Sequence, residues 1–186
     1  NYFDELAAHA NRVFREKGVK QFITISPHCY DVFKNHYKDV PTGFQPRHYT
    51  QYLAELVEDQ RLTFTKPVDL KVTFQDPCYL GRLNEEYTAP RRVLTAIPGV
   101  ELVEMKDSHQ AGLCCGGGGG RMWLETPANE RFSDIRVEQA AGTGANRLAT
   151  ACPFCLSCLE DSANQAPGGL TVLDVAELAV LALDNE

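Results

Sequence analysis

Apolar residues recur along this chain with two alternating periods. Near the start, Leu6, Ala7, Ala10, Val13 and Phe14 repeat at three- and four-residue intervals, the spacing of one helical face. Asn1 is placed to cap that helix and Gly18 to close it. Gln21 to Ile25 then reads as a buried strand. After Pro27 the pattern predicts a short helix from His28 to Tyr37. A second amphipathic helix spans Thr50 to Leu62, with Tyr52, Leu53, Leu56 and Val57 apolar, and residues 66–69 read as a linker. The pattern restarts with a strand, Leu70 to Gln75, ending in Asp76-Pro77-Cys78. A helix over Pro90 to Ile97 follows, with Pro90 near its first turn, and Pro98-Gly99 turns the chain into a strand over Val100 to Met105. A loop then carries Cys114-Cys115 and five consecutive glycines. Beyond it the pattern predicts a helix from Asn129 to Gln139 and a strand from Arg147 to Ala151. Cys152-Pro153-Phe154-Cys155 opens a helix to Ser162, and a strand (Leu170 to Leu173) and a helix (Val175 to Leu183) end the series.

This β-α-β rhythm implies an α/β fold: a mostly parallel sheet with helices on its faces, arranged as two Rossmann-like βαβ blocks. The blocks divide into residues 1–66 and 70–186. They read as weak copies of one unit, since Ser26-Pro27-His28-Cys29 and Cys152-Pro153-Phe154-Cys155 each follow a strand and open a helix. Ser26 stands where the second copy has Cys152.

Composition narrows the function classes. With 186 residues, 44% hydrophobic and 23% charged, the chain is an ordinary globular one. Its net charge of −7 and lack of a basic cluster argue against a nucleic-acid partner. No apolar run approaches the roughly 18 residues that span a bilayer. An opening at Asn1, without Met or a signal-like segment, suggests a fragment or processed product. Seven cysteines are a poor disulfide framework. Without a secretory signal the expected compartment is the cytosol, where clustered cysteines more often bind metal or perform redox chemistry.

Five cysteines fall at element ends: Cys78 after a strand, Cys114 and Cys115 in the glycine loop, Cys152 at a strand end and Cys155 in a first helical turn. Ligand sites in open α/β sheets gather outside the carboxyl ends of the strands, so these loops are expected to converge. Helix N-termini stabilise thiolates, which are the usual ligands of iron–sulfur clusters and structural zinc. Adjacent Cys114-Cys115 suits a tetrahedral zinc poorly and several irons better. Gly116, Gly117 and Gly118, with the two glycines after them, let backbone wrap closely around a bulky group. The blander readings are a thioredoxin-like dithiol at Cys152-x-x-Cys155 and buried core cysteines. A P-loop is excluded because Arg121-Met122 follows the glycines. Cys158 reads as a buried thiol beside the site, and Cys29 as a non-ligand. His109 and Arg121 are candidates for delivering a proton or stabilising charge, whereas His28 reads as a surface or core residue. Arg82, Arg91 and Arg92 either balance cluster charge or are simply solvated.

The full spacing, C-x35-CC-x36-C-x2-C, resembles the cysteine-rich CCG domain of the heterodisulfide reductase family, in its membrane-complex, HdrD-like branch. The flanking words carry the resemblance: Asp76-Pro77-Cys78-Tyr79-Leu80-Gly81-Arg82, Ala89-Pro90-Arg91, Cys114-Cys115-Gly116 through Arg121-Met122-Trp123, and Ala151-Cys152-Pro153-Phe154-Cys155. The resemblance implies a noncubane [4Fe–4S] cluster on Cys78, Cys114, Cys115, Cys152 and Cys155. It also implies electron transfer to or from a disulfide or soluble carrier, linked to a quinone pool. Implied partners are upstream cubane clusters and other complex subunits at the cytoplasmic face of a membrane, with membrane contact only through partner segments or subunits. Residues 1–66 would then be the degenerate remnant of a first CCG half and residues 70–186 a complete domain. A rival reading gives the same cysteines a Zn2+ ion and makes the chain a structural or docking module.

Overall fold

In the computed structural model the described residues are 1–37, 44–127 and 130–184. The first element, α1 (Tyr2–Glu16), begins with the expected cap: the Asn1 side chain accepts from the Asp4 backbone N–H, and the Asp4 carboxylate accepts from the Asn1 amino group. Strand β1 (Gln21–Thr24) leads into α2 (Pro27–Asp31), which widens into a π-helical turn over Val32–His36. Strand β2 (Gln45–His48) pairs parallel to β1 and runs into α3 (Tyr49–Glu58). Together β1 and β2 form a small sheet of their own. Phe14 packs on Phe22 and Phe44 at ring separations of 5.8 and 5.1 Å, forming an aromatic core for this unit.

The second unit contains β3 (Leu70–Gln75), α4 (Thr88–Ala96), β4 (Val100–Val103), α5 (Phe132–Ala141), β5 (Arg147–Thr150), α6 (Pro153–Gln165), β6 (Thr171–Asp174) and α7 (Val175–Leu181). Its strands are all parallel, in the order β4-β3-β5-β6. Val72, Phe74 and Ala149 on one face pack with residues of α4 and α7, such as Leu94 and Leu178. Leu148 and Val172 on the other face pack with Val137 of α5 and Leu159 of α6. The chain leaves β3 for β4 on one side, then crosses back to β5 on the other. The strand order therefore reverses between β3 and β5, the position where α/β sheets open a crevice for ligands.

The two units share a frame. Gln21–Thr24 and Gln45–His48 stand at one constant offset from Arg147–Thr150 and Thr171–Asp174, and both pairs are parallel. Each first strand is followed by a helix with Pro at its first position. Each second strand opens a helix whose third residue reaches back to the cap backbone N–H, Gln51 to His48 and Glu177 to Asp174. The units meet through polar ties: Tyr49 donates to Asp174 at 2.6 Å, Gln51 to Glu86 at 2.8 Å and Asn84 to Asp31 at 2.9 Å.

Several elements differ from the sequence reading. The α/β class and the two parallel blocks are as expected, but each block has a sheet of its own and the first is only two-stranded. The strand at Gln21 is not buried, since Ile23 and Ile25 are 45% and 69% exposed. Leu6 and Val13 of the first helix are also exposed. The start expected at Asn129 lies outside the described residues, and α5 begins at Phe132. Residues 66–69 are not a free linker: Val68 is buried, and its N–H donates to Pro98. Among the described residues no helix is long and apolar enough to cross a membrane.

Candidate metal centre

Both strands at the switch point deliver a cysteine. β3 ends at Gln75, Asp76 follows it, and Pro77 accepts from the Leu80 and Gly81 N–H groups, which puts Cys78 in a turn directly after the strand. β5 ends at Thr150, Cys152 is the N-cap of α6, and Pro153 holds its first position, where a missing N–H costs nothing. The loop carrying Cys114 and Cys115 is pinned from two sides. Asp76 accepts from both terminal nitrogens of Arg91 at 2.7 and 2.9 Å, and Arg91 also donates twice to Glu104. The third bond to Asp76 comes from the His109 N–H, at 2.7 Å, although His109 is held at φ +55°. On the other side Gln75 donates to the Leu113 carbonyl at 3.0 Å. The fully buried Arg136 donates to Gln75, to the Asp107 carbonyl and to Gln139. Gln139 in turn donates to the Asp107 carboxylate.

These anchors bring all five expected cysteines to one edge of the sheet, in two hydrogen-bonded sets. Cys78 and Cys114 lie 3.8 Å apart, and Cys114 also accepts from the Gly116 N–H at 3.3 Å. Sharing a proton with Cys114, together with burial, pushes the Cys78 thiol up. The second set runs Cys152, Cys155, Cys115, Cys158. Cys152 is brought down, chiefly by a hydrogen bond from Cys155, then by His28 and the backbone N–H groups of Cys155 and Phe154. Cys155 is raised, by its bonds with Cys115 and Cys152 and by burial. Cys158, beside the site in the sequence reading, is drawn down by Cys115 and belongs to the set. Opposite shifts at neighbouring sulfurs are expected where several of them share one small space.

The other candidates divide. A Cβ on Gly117 would lie 2.6 Å from the Cys158 sulfur, and one on Gly116 3.2 Å from Phe132, so both glycines permit a close approach. Gly118 has open space around it. Arg121 lines a cavity of about 780 Å³ together with Cys115, Gly116, Phe132 and Cys158. His109 is not brought to the thiols: its ring meets Ser108 and Tyr87. Arg91 is spent on Asp76 and Glu104, and Cys29 is exposed. Sequence reading missed His28, which bonds to Cys152, and the Gln75–Arg136 pair. A glutamine ending the strand of Leu70, Val72 and Phe74, directly before Asp76-Pro77, was the available signal for the latter.

The donor set is all sulfur. Among the described residues no three His, Cys, Asp or Glu side chains are gathered to hold a single metal ion. Six thiols in two adjacent sets suit a polynuclear, thiolate-bound group better than one ion.

Residues 72–160 match the family described as CCG, cysteine-rich domain. The chain is 43% identical over 178 residues to a probable iron-sulfur-binding oxidoreductase, FadF, of Bacillus subtilis, covering 95% of this chain and 25% of that protein. It is 38% identical to the EtfAB:quinone oxidoreductase of Syntrophomonas wolfei, covering 92% of this chain and 25% of that one. It is 35% identical to HdrD of the dihydromethanophenazine:CoB–CoM heterodisulfide reductase of Methanosarcina barkeri, covering 96% and 44%. The chain thus spans a quarter to under half the length of these relatives.

Proposed function

Residues 72–160 belong to the CCG cysteine-rich domain family, and from that premise we propose that the chain is the redox domain of an iron–sulfur oxidoreductase of the FadF and HdrD kind. Cys78, Cys114, Cys115, Cys152 and Cys155 would hold a noncubane [4Fe–4S] cluster at the β3–β5 switch point. When bound, such a cluster supplies one-electron transfer to or from a disulfide or another carrier. The observation that carries this reading is the gathering of these five thiols, with no carboxylate among them, at the carboxyl ends of two adjacent strands.

The remaining residues support that task. Gly116 and Gly117 bring backbone against the sulfurs, and the Gly116 N–H already donates to Cys114. Arg121 places a positive charge in the wall of the cavity beside Cys115, through which an anionic or disulfide-bearing partner would approach. Asp76, Arg91, Gln75 and Arg136 fix the loop that presents Cys114 and Cys115. Electrons would arrive from cubane clusters in other parts of the protein or in companion subunits. The name of the EtfAB:quinone oxidoreductase relative supports a link to a quinone pool, which would place the chain at the cytoplasmic face of a membrane. Residues 1–66 would be the remnant of a first CCG half, with Ser26 in place of a ligand cysteine.

The test is metal and sulfide analysis of the complete parent protein purified anaerobically, with Cys114→Ser alongside. Four irons with matching acid-labile sulfide, beyond any cubane clusters and lost in the variant, are expected. One zinc and no additional iron would sink the proposal.

A further inference from the structure

His28 belongs to the first unit, yet its ring lies between two cysteine-bearing segments of the second, the turn after β3 and the start of α6. Its centroid is 4.1 Å from that of Tyr79, the residue after Cys78, with the planes tilted by 37°. It is 5.0 Å from that of Phe154, between Cys152 and Cys155, which it meets edge-on at 71°. Two rings, one from a turn and one from a helix start, thus fix the imidazole in position and orientation. In the shared frame His28 corresponds to Phe154 itself, so each unit contributes one ring of this contact from the same place.

The imidazole has one polar partner at the site. Its Nδ1 is buried without a hydrogen-bond partner. The Cys152 sulfur lies within hydrogen-bonding reach of the ring, and an imidazole can carry its N–H on either nitrogen. Burying a ring nitrogen unsatisfied is unfavourable, and an apolar ring would fill this slot without that cost. What an apolar ring lacks is the donor to the sulfur.

We propose that His28 is a positioning residue of the cluster site, donating a ring N–H to the Cys152 sulfur and thereby favouring the reduced cluster. The inference rests on the cluster reading given above. An N–H···S bond withdraws charge from a ligand thiolate, and hydrogen bonds to sulfur are among the means by which proteins set cluster potentials. The first unit would then serve the centre that the second unit holds: having no Cys at position 26, it supplies a donor from position 28.

The test uses the full-length parent protein, anaerobically purified, as wild type, His28→Phe and His28→Gln. Iron and sulfide content comes first, then the midpoint potential from a redox titration followed by electron paramagnetic resonance. His28→Phe keeps a ring between Tyr79 and Phe154 and removes the donor. It is expected to retain the cluster and to disfavour its reduction about tenfold, equivalent to about 59 mV for one electron. His28→Gln, which can still present an N–H, is expected to stay nearer wild type. Wild type labelled with 15N-histidine is expected to show a nitrogen coupling to the cluster spin that His28→Gln lacks. This readout holds even if His28→Phe fails to load iron. A loaded His28→Phe protein with unchanged potential overturns the inference, as does a loaded, labelled wild type without a histidine coupling. Wild type without the additional iron and sulfide overturns the cluster reading instead, and His28 with it.

Discussion

Arg91 holds two carboxylates that differ mainly in burial, and the difference makes a quantitative test. The Asp76 side chain is 5% exposed and Glu104 35%, while Arg91 is 13% exposed. Each carboxylate takes two bonds from the guanidinium, and Asp76 also accepts from the His109 N–H. Removing one partner of a buried pair costs about 3–5 kcal/mol. Because Arg91 would keep Glu104, the lower end applies, and losing the charged acceptor for His109 overlaps with it. Asp76→Asn is therefore expected to destabilise by about 3 kcal/mol. Glu104→Gln breaks a pair that is a third exposed, where screening leaves about 0.5 kcal/mol. Urea unfolding of both variants against wild type, followed by circular dichroism at one pH, reads the difference. If the two variants cost the same within about 0.5 kcal/mol, burial is not what distinguishes them and the reasoning fails.

Gly117 and His48 give two further expectations. At φ −81° and ψ −13° Gly117 already has a backbone suited to alanine, so Gly117→Ala tests only the close approach to Cys158. It should cost about 1–3 kcal/mol as overpacking and much less in a Cys158→Ala background; equal cost in both would mean the sulfur is not the obstacle. His48 is fully buried, and desolvation lowers it to about 4. Between pH 6.5 and about 4 the unfolded chain binds a proton that the folded chain refuses. Stability contributed by neutral His48 is thus complete above pH 6.5 and falls with pH, by about 3 kcal/mol across the window. His48→Phe should flatten that part of a stability–pH profile measured by urea unfolding, and an unaltered slope would assign it to other groups.

What the sequence revealed depended on whether the signal was local. β3 was legible over its whole length because the alternating Leu70, Val72 and Phe74 end in Asp76-Pro77, and the Cys152-Pro153 start of α6 because proline marks a first turn. β2 was not, since Gln45-Pro46-Arg47-His48 has no apolar alternation and owes its strand form to pairing with β1. The ends of the short helices drifted by a few residues, as fraying caps allow. At the site, Cys78, Cys114, Cys115, Cys152 and Cys155 could be read from their spacing and flanking words. His28 could not, because its place beside Cys152 depends on how one unit docks on the other. Cys158 could be placed near the site by helical spacing, but its bond to Cys115 depends on how closely the glycine loop lies over α6. Arg136 looked like any helix arginine until Gln75 and Asp107 were brought to it.

The strand order also constrains how the chain is made. As the polypeptide leaves the ribosome, β3 can pair with β4 early, but its other edge waits for β5, whose Thr150 contacts Gln75 across 75 positions of sequence. During that interval Val72 and Phe74 lie on a strand with one unpaired edge, an invitation to association with other chains. Cys78, Cys114 and Cys115 are exported before Cys152 and Cys155, so the nascent chain carries part of the thiol set, without the helix that completes it. A ribosome that stalls near residue 145 would release a sticky sheet edge and unprotected thiols together. Cofactor delivery that waits for β5 to dock would meet neither hazard.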